Sequence, residues 1–518
     1  MGFFSSAADA GGRKQKLNSY NIIILILLAP SSITYGYTAA IIATTLGQPS
    51  FLAYFDFANR PNANALLGAT GGVYFAGGTL GPLILPTITD RLGRKWGITI
   101  PLIMNVTSAA LMAGSTNIGE FIFFRFVAGA SAFMILGAVP LLMNEVVPSR
   151  MRGGLVELHA VFFILGFAIA SWIGFGFSFW TSSGSAWRVP LAIQGFFSLL
   201  GLIAIYWIPE SPRWLVMRDR EDEAQKILYD LHSDASDPEH EFARAEMYQI
   251  QKQIRIDRTL GNSWMHLFRK RSYLKRVGMA CGLTFFIQSS GDLVINNYSP
   301  LLYKNLGFGV EKQLLYPSAW LTFTLGLSVI AMPIMDRVPR NKITAVGLWC
   351  CMSTLIVEAA LIANFVPSTN GNALRAAVAM LFVFQVGDTI MLNGPEWAYL
   401  GEMFPTHIRS KGYSLAMAVL ALANIIYTQA APTAFATSGW KFYLLFILLT
   451  FIGGIVVWIW YPDTRNMPLE ELAALFGDID DVAVYEAEIE VDPNSHAIVD
   501  HHDEKAGALH TEKATMDV

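Results

Sequence analysis

Inside stretches that are otherwise apolar, the chain carries a few side chains able to hold a polar solute or carry a proton. The densest group is Gln288-Ser289-Ser290-Gly291-Asp292, an amide, two hydroxyls, a glycine and a carboxylate, followed by Asn296, Asn297 and Tyr298 before Pro300. Glu358, Asp388 and Glu396 interrupt other apolar runs. Polar groups in hydrocarbon are costly unless they face a cavity or a partner, so each is a candidate functional group. The amide and hydroxyls suit the hydroxyls of a small solute. A buried carboxylate suits proton coupling, with Asp292, Asp388 and Glu396 as candidates. On an ideal helix Asp388 and Glu396 lie about 800° apart, some 80° after two full turns, so they need not face one cavity. Glu358 lacks polar company and reads as a neighbour-facing or snorkelling acid, and His159 as a packing histidine.

The elements that position these groups are membrane helices. The 518 residues are 53% hydrophobic and 15% charged, far more apolar than a soluble fold of this length needs. A spanning helix takes roughly 20 mainly apolar residues. Such runs fall near 20–46, 66–88, 96–115, 118–143, 154–178 and 188–208, and again near 276–302, 314–335, 343–364, 375–402, 411–434 and 441–461. The predicted fold is therefore an all-α membrane protein of twelve transmembrane helices, in two six-helix pseudo-symmetric bundles, 20–208 and 276–461. The polar segment 209–275 divides them, with helices predicted at Glu221–Leu231 and Glu239–Ile256. Residues 1–19 read as a cytosolic N-terminus, because the first apolar run is too long for a cleaved leader. The acidic tail 462–518 has little periodicity and reads as disordered.

Lysine and arginine set the orientation. Of 36, 29 fall in the termini and the loops on one side, six on the other, and Arg125 inside a helix, which predicts both termini cytosolic. The net charge of −4 and the scattered basic residues give no nucleic-acid partner. No GxxxxGK loop or paired metal-ligand spacing is present, so no cofactor, no metal and no enzymatic or ATP-driven chemistry is predicted. Cys281, Cys350 and Cys351 lie in apolar runs and suggest no disulfide framework.

Several motifs resemble those of the sugar porter family of the major facilitator superfamily. They are Asp90-Arg91-Leu92-Gly93-Arg94-Lys95, Arg125 with Gly129, Glu145 with Arg152-Gly153, and Pro209-Glu210-Ser211-Pro212-Arg213 with Glu223-Ala224. In the second half come Asp336-Arg337-Val338-Pro339-Arg340, Glu402 with Arg409, and Pro462-Asp463-Thr464-Arg465 with Leu469-Glu470-Glu471. Gly47-Gln48-Pro49-Ser50-Phe51 is similar to fungal members.

The resemblance implies a monomeric carrier in the lipid bilayer of a fungal plasma membrane, moving a sugar, polyol or similar small solute by alternating access, as uniport or with protons. Charges at the cytosolic helix ends would pair only when those ends are close, holding an outward-open state. That gating set is Asp90, Arg91, Arg94, Glu145, Arg152, Glu210 and Arg213 in the first half, and Asp336, Arg337, Arg340, Glu402 and Arg409 in the second. The substrate would meet Gln288, Ser290, Asp292, Asn296 and Asn424, with Trp397 as an aromatic wall. The chain departs from the family at Ile287, Leu293, Ala160 and Leu420, where polar sugar contacts are usual. Each buried hydroxyl left unpaired costs on the order of 1–3 kcal/mol, so these changes favour a less polar ligand and keep export of a secondary metabolite as the alternative. Thr38 stands where proton-coupled relatives have an aspartate. A non-transporting sugar sensor would need a longer tail.

Overall fold

The computed structural model describes residues 18–464 apart from 62, 148–151, 181–185, 234–236, 238, 261–262, 306–307, 336 and 366–370, and then Phe476, 489–491 and 498–500. The N-terminal bundle is built from α1 (Ser19–Leu46), the short α2 (Pro49–Tyr54), α3 (Ala63–Leu92), α4 (Arg94–Gly114), α5 (Ile118–Val146), α6 (Arg152–Ser178) and α7 (Arg188–Ala204). Four shorter helices follow: α8 (Pro212–Met217), α9 (Glu221–Leu231), α10 (Glu241–Thr259) and α11 (Trp264–Arg269). The C-terminal bundle comprises α12 (Arg271–Gln288), α13 (Asp292–Asn305), α14 (Val310–Met335), α15 (Arg340–Phe365), α16 (Gly371–Asp388), α17 (Gly394–Glu402), α18 (Thr406–Ser438) and α19 (Tyr443–Trp460). Ten helical stretches among the described residues are long and apolar enough to cross a membrane. The 17-residue α7 and the 30-residue, glycine-rich α3 complete the twelve.

Two spans are broken, for identifiable reasons. Between α12 and α13, Gly291 adopts a φ of 87°, a left-handed conformation that glycine alone takes freely. Between α16 and α17 the helix widens into a π turn at Thr389–Asn393, just before Pro395, whose missing N–H leaves no regular helical bond to keep.

Small residues let the helices approach within each bundle. A Cβ on Gly129 of α5 would sit 1.8 Å from the Tyr74 carbonyl oxygen of α3, and one on Gly36 of α1 would sit 1.8 Å from that of Phe163 on α6. The bundles meet chiefly where α3 packs on α18 and α6 on α14.

The segment between the bundles folds on its own small core of Trp214, Leu215, Val216, Leu228, Met247, Ile250 and Ile254. It is tied to the N-terminal bundle by Asn21, which donates to the Leu231 carbonyl (3.1 Å), and by the Trp214 indole, which donates to the Asp90 carbonyl (3.1 Å). On the C-terminal side Asp257 approaches His407 (3.4 Å). In the tail, where the sequence predicts no ordered element, Ile489–Val491 pairs antiparallel with Ile498–Asp500. Both strands are β-branched and apolar enough to hold a short ladder, and the first lies against α10.

Candidate substrate site and gating network

The break in the seventh span brings most of the predicted polar residues together. Asn424 of α18 donates to the Gln288 side-chain oxygen (3.1 Å), and Gln288 in turn hydrogen-bonds Glu396. Ser290 donates to Asp388 (3.4 Å) and caps the backbone N–H of Asp292 (3.4 Å). Asp388 interacts electrostatically with both Asp292 and Glu396. The π turn accounts for this, because it absorbs about one extra residue, taking back roughly 100° of helical phase. The 80° offset expected for a regular helix is thereby removed, and Asp388 and Glu396 face one site. Among the described residues no Lys, Arg or His pairs with these three acids, and one oxygen each of Asp292 and Glu396 is buried without a partner.

The two remaining candidates lie apart from that cluster. Asn296 lines a cavity of about 10 Å³ with Asn297, Leu293, Tyr35, Ala39, Ala40, Tyr74, Phe75 and Phe167. Such a volume is near the minimum for a single water. Trp397 does not line it. Its indole N–H donates to Asn393 (2.8 Å) on its own helix and its ring meets Phe163 of α6 edge-on, so it is an interbundle packing residue in this state.

The N-terminal bundle holds the opposite chemistry. Thr38 joins a neutral network centred on Asn105, which donates to Thr38 (3.1 Å) and Ser131 (3.0 Å) and accepts from Gln194 and Ser198 (3.0 Å each). Arg125, 1% exposed, donates to the Thr38 carbonyl (2.8 Å) and lies 4.1 Å over the Tyr74 ring. Among the described residues no carboxylate pairs with it.

Both ends of the molecule are closed around the cavity. At the end nearer the helices α8–α11, Arg94 forms a two-pronged pair with Glu145 (2.9 and 3.1 Å) and reaches Asp90 (3.5 Å). Asp90 then crosses to the other bundle, to Lys411 (3.3 Å) and Ser410 (3.2 Å). Glu210 accepts from the backbone amides of Arg94 (2.9 Å), Lys95 (3.2 Å) and Ser211 (2.9 Å); burial pushes its carboxyl up, and these amides oppose the shift. Arg213 reaches Glu246 (3.7 Å) and the Glu145 carbonyl (3.4 Å). In the second half Arg340 pairs with Glu402, which also accepts from Thr464 (2.7 Å), and Arg409 bonds the Phe404 carbonyl (3.2 Å). Arg91 and Arg337 are exposed. Asp336 and the Arg152 side chain lie outside the described residues. At the opposite end Ser171 meets Ser318 (2.8 Å) and Trp172 donates to Thr322 (2.8 Å), joining α6 to α14.

Sequence reasoning missed Lys411, which carries the crossing pair, and Tyr35 and Tyr74, which wall the cavity. A lysine two residues after Arg409 at a helix start was the available signal; for the tyrosines nothing distinguished them from other aromatic residues in apolar runs.

Two helical bundles, a central cavity and charge pairs at one end of the bundles define a polytopic secondary carrier of the major facilitator type. The chain belongs to the "Sugar (and other) transporter" family, whose model matches residues 24–476. It is 30% identical over 455 residues to the MFS-type transporter criB of Aspergillus cristatus, covering 88% of this chain and 92% of that protein. It is 28% identical to a probable quinate permease of Aspergillus clavatus (88% of each chain) and 24% identical to a high-affinity glucose transporter of Kluyveromyces lactis (89% and 86%). Among solved structures, the proton:xylose symporter XylE bound to 6-bromo-6-deoxy-D-glucose superposes with a TM-score of 0.78 at 22% identity, over 88% of this chain and 99% of that one. XylE from E. coli in its inward-open form gives 0.67. These structures share the fold. The chain is a transporter rather than an enzyme.

Proposed function

We propose that this protein is a proton-coupled carrier of a small hydroxylated organic solute, working as a monomer in a fungal plasma membrane with both termini cytosolic. The observation that carries the reading is the cluster of Asp292, Asp388 and Glu396 beside the broken helix, without a cation among the described residues. Carboxylates that share a low-dielectric site repel one another when ionised, which is the property a proton-coupling site needs. This cluster takes the place of the helix-1 aspartate that Thr38 replaces. Gln288, Ser290 and Asn424 connect the protonatable groups to the solute, and Asn296 and Asn297 supply hydrogen bonds from the cavity wall.

A cavity of about 10 Å³ admits no solute of this size, so loading requires one end to open. Outward opening separates α6 from α14; inward opening breaks the Asp90 contacts with Ser410 and Lys411. Protonation favours the loaded return, and release of the proton inside resets the carrier. Relatives named for quinate and for glucose support a hydroxylated solute. A second reading, export of a more apolar metabolite, draws on the aromatic and aliphatic lining from Tyr35, Phe75, Phe167 and Leu293.

The test is uptake of radiolabelled hexoses, xylose, a polyol and quinate into sugar-carrier-null yeast expressing the full chain, with and without a protonophore. Saturable, protonophore-sensitive uptake is expected. Surface expression with no uptake of any solute would turn the assignment to export.

A further inference from the structure

We infer that the solute is an anion, a polyhydroxylated carboxylate, recognised through Arg125 and Tyr74. This rests on the reading of the protein as a carrier of hydroxylated solutes and narrows it. A guanidinium enclosed in a bundle without a counter-charge is expensive to hold. Arg125 is in that position: its Nη1 donates to a main-chain carbonyl, its face is covered by the Tyr74 ring, and its Nε–H is buried without an acceptor.

The position is next to the cavity. Tyr74 is both the ring over Arg125 and part of the cavity wall, and its own hydroxyl is buried without a partner. Thr38, whose carbonyl holds Arg125, directly precedes the wall residues Ala39 and Ala40. The cation thus stands one side chain behind the cavity, with an unused donor in front of it. Tyr35, which shares the cavity wall with Tyr74, lies within electrostatic reach of both Tyr74 and Glu396. The site is polarised, cationic toward the N-terminal bundle and acidic toward the C-terminal one.

A neutral sugar draws nothing from that polarity. A carboxylate completes it, accepting from the Tyr74 hydroxyl and from the donors of Arg125 as the ring shifts, while its hydroxyls reach Asn296, Asn297 and Gln288. Proton binding at the acidic side then offsets the solute's charge, so the loaded carrier crosses with less net charge in the membrane. The neutral Asn105 network keeps Arg125 free for this, since a carboxylate at position 38 would compete for it.

The experiment measures binding to the purified full chain in lipid nanodiscs, using two matched pairs: gluconate against sorbitol, and glucuronate against glucose. The acid of at least one pair is expected to bind roughly tenfold more tightly than its neutral partner, the scale of one hydrogen bond to a charged group. Tyr74→Phe, which keeps the ring on Arg125, should weaken the acid about fivefold and the neutral partner less than twofold. Arg125→Gln should abolish the preference and Arg125→Lys retain part of it. Should either Arg125 variant fail to fold, Tyr74→Phe decides alone. Equal affinity within both pairs, or binding of the neutral partners only, overturns the inference while leaving the carrier reading intact. Binding of none of the four by folded protein overturns both.

Discussion

The two bundles solve the same packing problem and hold opposite charge. In the N-terminal bundle a single cation, Arg125, is buried among neutral partners: Thr38, Tyr74 and, behind them, the network around Asn105. In the C-terminal bundle Asp388 and Glu396 are buried, and Asp292 half-buried, among amides and hydroxyls. Neither Arg125 nor the acid cluster is neutralised by a charge of its own bundle among the described residues. The difference teaches that the bundles are complementary rather than duplicate, one suited to fix a solute and the other to move a proton, with Tyr35 between them.

Substitutions that erase the acidic side should have the largest effect. Asp388→Asn is predicted to reduce protonophore-sensitive accumulation to background while solute exchange across proteoliposomes continues, because exchange needs no net proton movement. Supplying the N-terminal bundle with an acid sharpens the comparison. Thr38→Asp places a carboxylate beside Arg125, where it competes with the solute, and is predicted to weaken binding of an acidic solute about fivefold. Unchanged affinity for the acid in this variant would show that Arg125 does not hold the solute.

The gates should matter less and in a different parameter. Arg94→Ala breaks the two-pronged pair with Glu145 and is predicted to lower turnover about tenfold, with solute affinity changed less than twofold. Lys411→Ala removes one of the two contacts by which Asp90 crosses to the other bundle and should shift cysteine accessibility toward the inward-facing state by a few-fold. Gly129→Ala leaves both charge systems in place yet drives a methyl into the Tyr74 carbonyl, 1.8 Å away. A loss of about 1–3 kcal/mol, seen as a lower Tm in detergent, is expected.

Much of this arrangement was legible in the chain. The break at Gln288 to Asp292 announced itself because a glycine and four polar residues have no other use inside an apolar run. Helix α9 falls on the predicted 221–231, since interleaved charges and apolar residues at helical spacing leave little choice. The convergence of Asp388 and Glu396 was not legible, because it depends on a π turn that a period of 3.6 residues does not foresee. The role of Asn105 was hidden for another reason: its four partners come from α1, α5 and α7, far apart in sequence. Nor could the chain alone reveal that Asp90 meets Lys411 some 321 residues away, since position at a helix end says which charges face the cytosol and not which of them touch.

The central claim is that the acidic side of this divided site couples transport to protons. It is tested most directly by measuring internal pH in proteoliposomes of the full chain when a transported solute is added outside, for the wild type and Asp388→Asn. The account predicts solute-driven proton entry in the wild type and none in the variant, with counterflow retained in both. Solute uptake by the wild type without proton entry, or undiminished coupling in the variant, would contradict it.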